Sequence, residues 1–427
     1  MTTEFYFALA PELLLLGLIV VLMLLEMLRA PARWARACVV ATLAAAMYVL
    51  LSQLGSGYSA VVAPGEVEVG RFSILARLVL LLCTAAVALG FGAAQGYKFW
   101  ILATASALGG LVVVGSTGFA PLFIGIELLS LPSFALIVHG QGDGVASEGA
   151  FKYLVLSSIA SALFLFGVSL SYGLTGSLAI GAWAHAFQFD GLQGQAAGLL
   201  VLAGLFLKAA VFPLHAWAPD AYAAARLPVT ALMASLVKAA VILALAGLTY
   251  SLPLAGSTRA MVALLAIVSI VFGNLAALGQ PRFKRLLAYS SVAHAGYMIF
   301  ALLDTTGSRA SDLLWYTAFY GLATVLACAS FAALCPDGDD ALSLLDGRFA
   351  TRPVASILLS LAVLSLAGLP PMPGFFSKLF VFKSVIASGQ LVPAIIAFVG
   401  SFLGLAYYVG IVLRLFRSPP LPSHGGE

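Results

Sequence analysis

The sequence predicts an all-α integral membrane protein with about 13–14 transmembrane helices, including two inverted five-helix repeats that each contain a broken helix. Three features predict this fold: the composition, a series of apolar segments, and two Pro-rich interruptions beside lysines. Of the 427 residues, 62% are hydrophobic and 9% are charged, whereas soluble domains carry about 25% charged residues. Because so few polar residues cannot cover a water-facing surface, we expect helices that cross a lipid bilayer.

Thirteen segments are apolar and long enough to cross a bilayer. They comprise residues 9–28, 35–53, 76–93, 99–115, 120–138, 153–172, 197–225, 229–250, 259–278, 285–303, 313–334, 354–387 and 391–413. Most connections are short, so neighbouring helices should be antiparallel. The longer connections, 55–75, 173–195 and 335–352, are too short for a separate soluble domain. Glu4 and Glu12 stand where a cleavable signal peptide carries positive charge, so the first segment should remain a span.

Basic residues concentrate in alternate connections, which predicts the orientation. With the N-terminus outside, 13 of the 21 Lys and Arg residues fall on the cytoplasmic side. Five fall outside, namely Arg71, Arg77, Arg259, Arg309 and Lys383. This distribution predicts a multi-pass protein of a bacterial-type inner membrane with a cytoplasmic C-terminus.

Two lysines, Lys208 and Lys238, lie in apolar helices on either side of a break at Phe212-Pro213-Leu214-His215. A lysine near the bilayer centre costs about 2.5–3.5 kcal/mol and usually marks an ion or proton path. Lys238 follows the preceding loop by about 16 Å of helix, close to the middle of a ~30 Å hydrocarbon core. The alternative is that each lysine reaches the interface or pairs with a carbonyl group, and that His215 satisfies backbone groups freed by Pro213.

Glu127 lies near the centre of the fifth segment, which contains no basic residue. An isolated ionised carboxylate is very unfavourable there, so we expect it to be protonated or paired with Lys208 or Lys238. Such a pair titrates as a unit, and a neighbouring charge can move a proton on or off it. The alternative is a purely structural ion pair.

The second break contains Pro370, Pro371, Pro373 and Gly374, and Lys378 follows within about one turn. Broken helices in corresponding positions of two halves indicate a transport path. The breaks fall in the seventh and twelfth segments, and this odd offset reverses direction across the membrane. We therefore predict an N-terminal three-helix segment (1–95), two inverted repeats (96–255 and 256–416) and a C-terminal tail (417–427).

Between the two breaks, Tyr289, Ser290, Ser291 and His294 enter the membrane after a basic cluster. Hydroxyl and imidazole groups at this spacing can carry a hydrogen-bonded water chain. Equally, small serine side chains allow close helix packing.

The sequence contains no nicotinamide, flavin, iron–sulfur or quinone motif and no nucleic-acid signature. Its four cysteines lack CxxC spacing and predict neither a metal site nor a disulfide framework. We therefore expect no cofactor and no metal in this chain.

Three motifs, FLKAAVFPLHAWAPDAY, FKRLLAYSSVAHAGYM and LAGLPPMPGFFSK, carry a family resemblance. Over about residues 99–412 the chain resembles the antiporter-like membrane subunits of proton-pumping NADH:quinone oxidoreductase (respiratory complex I), most closely the subunit N type. The same family includes the large subunits of multisubunit Na⁺/H⁺ antiporters and of membrane-bound hydrogenases.

The resemblance implies proton translocation by Glu127, Lys208, Lys238 and Lys378, driven by redox chemistry elsewhere in the complex. Flavin, iron–sulfur clusters and quinone are then expected in partner subunits. The expected partners are a second antiporter-like subunit, small membrane subunits and the lipid bilayer. Cytoplasmic proton entry is expected near Lys152, Glu148 and His215. Further along, the proton path is expected to use His294, Ser291 and Tyr289.

Two alternative functions remain at this stage. One is a subunit of a free-standing cation/proton antiporter, although a Na⁺ site requires several oxygen ligands and Glu127 is the only strong intramembrane carboxylate identified. The other is a non-conducting structural subunit of the same complex. Three buried lysines argue against it, because a scaffold would gain stability from apolar replacements.

Overall fold

A computed structural model describes residues 3–91, 95–140, 144–189, 191–250, 254 and 256–417. Residues 418–427 of the predicted tail and the end of the third predicted span lie outside the described residues. The helices are α1 Thr3–Ala8, α2 Ala10–Met27, α3 Arg33–Gly55, α4 Arg71–Gly90, α5 Tyr97–Gly115, α6 Phe119–Val138, α7 Gly144–Thr175, α8 Ile180–Phe189, α9 Gly191–Lys208, α10 Trp217–Ala224, α11 Leu227–Leu232, α12 Lys238–Leu248, α13 Gly256–Leu278, α14 Phe283–Phe300, α15 Arg309–Leu334, α16 Arg348–Thr351, α17 Pro353–Ala367, α18 Pro373–Ala387 and α19 Leu391–Leu415.

Twelve helices of the described residues are long and apolar enough to cross a membrane. One of them, Leu227–Leu248, joins α11 and α12 through a π-helical turn at Met233–Val237. The shorter helices α17 and α18 are the two halves of the twelfth predicted span. The predicted helical membrane fold is therefore confirmed.

The all-α prediction expected no strands, but the long connection after α3 contains two. Strands β1 (Ala60–Ala63) and β2 (Val67–Val69) form a small antiparallel hairpin there. Because the connection lies outside the apolar spans, its backbone is free to pair locally. The next long connection contains α8, which packs against α9.

The helices that carry Lys238 and His294 lie at the centre of the bundle. The most apolar windows of Leu227–Leu248 and Phe283–Leu303 are 100% and 94% buried, whereas those of α2 and α3 are 28% buried. Close helix contacts depend on glycine: a Cβ atom at Gly109 of α5 would collide with the backbone of α6 at Leu129. The central lysine is therefore shielded from lipid by surrounding protein.

The two ends of the bundle carry different polar contacts. At one end, which we call the basic end, the carbonyl oxygen of Asp340 accepts the Phe283 N–H at 2.7 Å. At the other, which we call the Asp304 end, the Ser388 hydroxyl accepts the Thr305 N–H at 2.8 Å. The first contact joins the start of α14 to the segment after α15, and the second joins the segment after α14 to the end of α18.

Arg77 corrects one element of the orientation analysis. The sequence counted it on the outer side, at the start of a span predicted over 76–93, but α4 begins at Arg71, so Arg77 lies further inside the helix and is 1% exposed. Its Nη2 atom is 2.8 Å from Oε1 of Glu12 on α2. The partner charge explains how a guanidinium group is accommodated in the bundle interior.

We expect Arg77→Met to destabilise the protein by about 3–5 kcal/mol, because it leaves the buried Glu12 charge uncompensated. The double variant Glu12→Leu/Arg77→Met should recover most of that loss. The thermal unfolding midpoint of the detergent-purified protein measures both effects. Arg71→Met, at the exposed start of α4, is the matched control and should change stability by less than about 0.5 kcal/mol. A single variant as stable as the parent would contradict this account.

Candidate functional site

The first helix break follows Lys208 directly. Helix α9 ends at that lysine, and α10 begins at Trp217. The freed backbone groups find partners from elsewhere in the fold. The indole N–H of Trp217 donates to the Leu207 carbonyl oxygen at 2.8 Å, and the Phe212 N–H donates to the Ser269 hydroxyl at 3.0 Å. A helix interruption at this depth is therefore satisfied by protein groups.

Lys208 meets Glu127 at the end of α9. Its Nζ atom lies 3.1 Å from Glu127 Oε1 and also donates to Ser157 at 2.9 Å and Ser130 at 3.3 Å. The Ser161 hydroxyl donates to the same carboxylate oxygen at 2.5 Å. Three hydroxyl groups thus surround one ion pair, and each can both donate and accept a hydrogen bond. The expected pairing of Glu127 with a lysine is present, with Lys208 and not Lys238 as the partner.

Lys238 has a different environment. It is 2% exposed, and its Nζ atom donates to the carbonyl oxygen of Ser291 at 2.7 Å. Within the described parts of the chain it forms no salt bridge. The π-helical turn that directly precedes it was not anticipated, and such turns are frequent at functional sites.

His294 connects the central helix to the second break. Its Nδ1 atom is 2.9 Å from the Tyr316 hydroxyl, and its ring centroid lies 4.7 Å from that of Tyr320. A cavity of about 10 Å³ beside it is lined by His294, Tyr316, Phe319, Tyr320, Ala323, Ser365, Leu366, Gly374 and Ser377. This space is large enough for about one water molecule.

Lys378 lies in the second half of the broken twelfth span. Its Nζ atom donates to the carbonyl oxygen of Ala367 at 2.8 Å. Ala367 is the last residue of α17. The Nζ atom of Lys378 also lies 4.8 Å from the centre of the Tyr297 ring, a cation–π distance. The left-handed Gly368 (φ 82°) carries the chain past the lysine, where a Cβ atom would approach Lys378 Cδ to 3.0 Å.

Gly374 holds the second break in its observed form, so we expect Gly374→Ala to prevent normal assembly. A Cβ atom there would collide with the Ser365 carbonyl oxygen, and only a backbone shift relieves such a clash. The expected loss exceeds about 4 kcal/mol. The measurement is the amount of folded protein in mild detergent. Gly410→Ala, which meets open space in α19, is the control, and equal yields of both variants would contradict the prediction.

The hydroxyl and imidazole groups from Tyr289 to His294 contact different neighbours in the fold rather than one another. Tyr289 lies near His215, at 6.4 Å between ring centroids. Ser290 instead hydrogen-bonds Tyr408 of α19. Ser291 accepts Lys238 through its backbone oxygen, not its hydroxyl. The cause is helical geometry, since adjacent residues of α14 point to different neighbours.

The predicted entry residues Lys152 and Glu148 lie at the basic end. Lys152 Nζ is 2.7 Å from Glu148 Oε1 and 2.9 Å from Asp220 Oδ2, and Asp220 Oδ1 is 3.4 Å from Arg285 Nη2. These side chains are 31–66% exposed. The structure therefore places them at the protein surface beside α10, apart from the Glu127–Lys208 pair.

Sequence reasoning missed several groups of the site. The hydroxyl groups of Ser130, Ser157 and Ser161 surround the ion pair, and Tyr297, Tyr316 and Tyr320 surround the second break. Ser130 follows Glu127 by three residues, so helical spacing would have indicated it. No sequence signal shows that α7, α14 and α15 supply the others. Within the described residues, no group of three or more His, Cys, Asp or Glu side chains is placed to hold a metal ion.

Comparison with known proteins now assigns the family. Residues 116–404 match the family described as NADH:quinone oxidoreductase/Mrp antiporter, TM. This stretch contains Glu127, Lys208, Lys238, Lys378 and both breaks. The chain belongs to this family. Within the NADH:quinone oxidoreductase/Mrp antiporter family, NADH-quinone oxidoreductase subunit N of Pelobacter propionicus is 51% identical over 419 residues, covering 98% of this chain and 90% of that protein. Subunit 14 of Thermus thermophilus NADH-quinone oxidoreductase is 41% identical over 323 residues, covering 76% of this chain and 71% of that protein.

Solved structures of the family show the same fold. A chain of respiratory complex I from Thermus thermophilus with bound aureothin matches with a TM-score of 0.86 at 35% identity, covering 98% of this chain and 92% of that chain. A chain of the Mrp complex from Dietzia sp. matches with a TM-score of 0.87 at 24% identity, covering 99% and 82%. The second likeness shows the fold alone. The higher identities support the function of an N-type NADH:quinone oxidoreductase subunit over that of an antiporter subunit.

Proposed function

We propose that this chain moves protons from the cytoplasm to the outside as an N-type membrane subunit of NADH:quinone oxidoreductase. The observation that carries the proposal is the burial of three lysine side chains, two beside the helix breaks and one on the helix between them. Lys208, Lys238 and Lys378 are each at most 9% exposed. A buried lysine is costly, and in membranes such groups mark ion or proton paths.

The proposed path begins at the Glu127–Lys208 pair. A charge change in a neighbouring subunit perturbs this pair, and Lys208 passes a proton through water towards Lys238. Lys238 is bonded to α14, which also carries His294, and the cavity beside His294 opens onto the second break. From there the proton reaches Lys378. Each step uses a group that can both accept and donate a proton.

Orientation and internal symmetry are part of the proposal. We place the basic end in the cytoplasm of a bacterial-type inner membrane, because basic connections stay on that side. Proton entry is then near Lys152, Glu148 and His215, and release is at the Asp304 end. Residues 96–255 and 256–416 are proposed as inverted repeats, since each contains one broken helix with a buried lysine beside the break.

The energy for translocation comes from partner subunits in this proposal. Flavin, iron–sulfur clusters and quinone belong to those subunits, and this chain contributes protein groups only. The proposed partners are a second antiporter-like subunit and small membrane subunits. Exposed apolar faces of α2 and α19, including Leu24 at 52% and Val399 at 60% exposed, fit contact with lipid or with such subunits.

The test is the size and activity of the particle extracted in mild detergent through a tag on this chain. A particle of many subunits that oxidises NADH with quinone is the expected result. A smaller particle without NADH activity, which exchanges Na⁺ for protons in vesicles, would overturn the proposal in favour of an antiporter subunit. A particle whose pumping is unchanged by lysine variants would instead identify a structural subunit.

A further inference from the structure

Asp312 is a buried acid that the proposed path does not use. Four acidic residues of the described chain are less than 9% exposed, namely Glu12, Asp304, Asp312 and Asp340. Glu12 pairs with Arg77, and Asp340 pairs with Arg282. Asp304 accepts backbone N–H groups. Among described residues, Asp312 alone of the four has neither a salt bridge nor a backbone N–H donor.

The partners of Asp312 are hydroxyl groups. Ser308 Oγ donates to its Oδ2 atom at 3.2 Å, and Ser384 of α18 faces the same carboxyl group. The nearby charged groups are one acid, Asp304, and one base, Lys383. A buried carboxylate normally requires stronger compensation, so this environment suits a group that changes its protonation state.

Asp312 lies on the same face of α15 as the partners of His294. Tyr316 and Tyr320 follow it at four-residue intervals, and each interval rises about 6 Å along the helix. Tyr316 hydrogen-bonds His294, and the ring of Tyr320 packs against it. This stripe leads from the buried histidine to Asp312 near the Asp304 end.

The neighbouring acid Asp304 has a different character. Burial opposes its charged form, but donors from Thr306, Arg309 and Ser388 outweigh that effect and hold the pKa of the Asp304 carboxyl below its ordinary value. It thus remains an ionised structural group. Ser308 Oγ lies 3.4 Å from Asp304 Oδ2 and 3.2 Å from Asp312 Oδ2, so its single hydroxyl proton can be donated to either acid.

We infer that Asp312 is the proton-release group of this subunit, between the His294–Tyr316 pair and the Asp304 end. This inference rests on the proposed proton-translocating function, and in it the proton held at Lys378 returns to His294 before it is released. Protonated His294 gives a proton to the Tyr316 oxygen while the Tyr316 hydroxyl proton passes, through a bridging water, to the Asp312 carboxylate. Tyr316 stays neutral throughout, His294 becomes neutral, and Asp312 then loses the proton to water at the Asp304 end.

The competing explanation is structural. An acid in the first turn of a helix is stabilised by the positive N-terminal end of the helix dipole. Asp312→Asn retains the size and one acceptor of the side chain but cannot carry the proton. Asp312→Glu restores the carboxyl group on a longer side chain. A helix-dipole role would lower the thermal midpoint of Asp312→Asn, whereas a proton-transfer role lowers pumping in a complex of unchanged stability, so the two measurements together separate the roles.

The experiment uses the intact complex in sealed vesicles and measures protons moved per NADH oxidised. We expect Asp312→Asn to slow transfer through this chain by at least about tenfold, with normal assembly, and Asp312→Glu to restore it. Asp337→Asn, at the exposed basic end, is the control and should pump normally.

Two outcomes would overturn the inference. One is normal pumping by Asp312→Asn while Lys238→Met does not pump. That result removes Asp312 from the proton path but leaves the proposed function intact. The other is a loss in Asp312→Asn that Asp312→Glu does not restore, which indicates a structural role. If Lys238→Met also pumps normally, the proposed function itself fails, and the two failures are thereby distinguished.

Discussion

Replacing Lys208 with Met is expected to stop proton transfer through this chain and to weaken the protein at the same time. The ammonium group contacts Glu127, Ser130 and Ser157, so its removal leaves a carboxylate without its cationic partner. Removing one member of a buried pair costs about 3–5 kcal/mol. Loss of a proton-transferring group typically costs about 100-fold or more in rate. The measurements are protons moved per NADH and the thermal midpoint of the complex.

The double variant Glu127→Gln/Lys208→Met separates these two effects. With both charges removed, we expect most of the stability to return, because no uncompensated charge remains. Pumping should stay lost, because neither group can carry a proton. Recovery of pumping together with stability would show that the pair serves only the fold.

Replacing Lys238 with Met is expected to give the opposite combination: loss of pumping without loss of stability. Its ammonium group has one carbonyl partner, Ser291, and no salt bridge within the described chain. Methionine of similar volume removes a buried charge that costs about 2.5–3.5 kcal/mol in a membrane. The thermal midpoint should therefore stay equal or rise, while transfer through this chain falls by about 100-fold or more.

Lys98→Met provides the matched control for Lys238→Met. Lys98 is exposed at the basic end of α5, and its replacement should change neither pumping nor the thermal midpoint. A marked loss of stability in Lys238→Met would identify the lysine as a structural group. Normal pumping in that variant would remove Lys238 from the path.

Much of the fold could be predicted from the sequence because lipid imposes simple rules. Apolar length predicts each span, and proline clusters predict the two breaks at Phe212-Pro213 and Pro370-Pro371. The position of Glu127 in an apolar segment predicted that it forms an ion pair, because a charge in a bilayer needs a partner of opposite charge. Basic residues in the connections could be interpreted in the same way, except Arg77, whose helix begins one and a half turns earlier than predicted.

The details of the site could not be predicted, because they depend on which helices touch. The Tyr316 hydroxyl meets His294 only because α15 packs beside α14. Ser157 meets Lys208 only because α7 packs against α9. The π-helical turn before Lys238 has no local sequence signal. For the same reason, spacing along α14 could not show that Tyr289, Ser290 and His294 face different neighbours.

The most direct test of the central claim is the number of protons moved per NADH oxidised by vesicles that contain the Glu127→Gln/Lys208→Met complex. The complex should assemble and oxidise NADH, and the ratio should fall by the whole share of this subunit, because the first charged groups of the path are gone. An unchanged ratio in a fully assembled complex would contradict proton conduction through the buried Glu127–Lys208–Lys238–Lys378 groups.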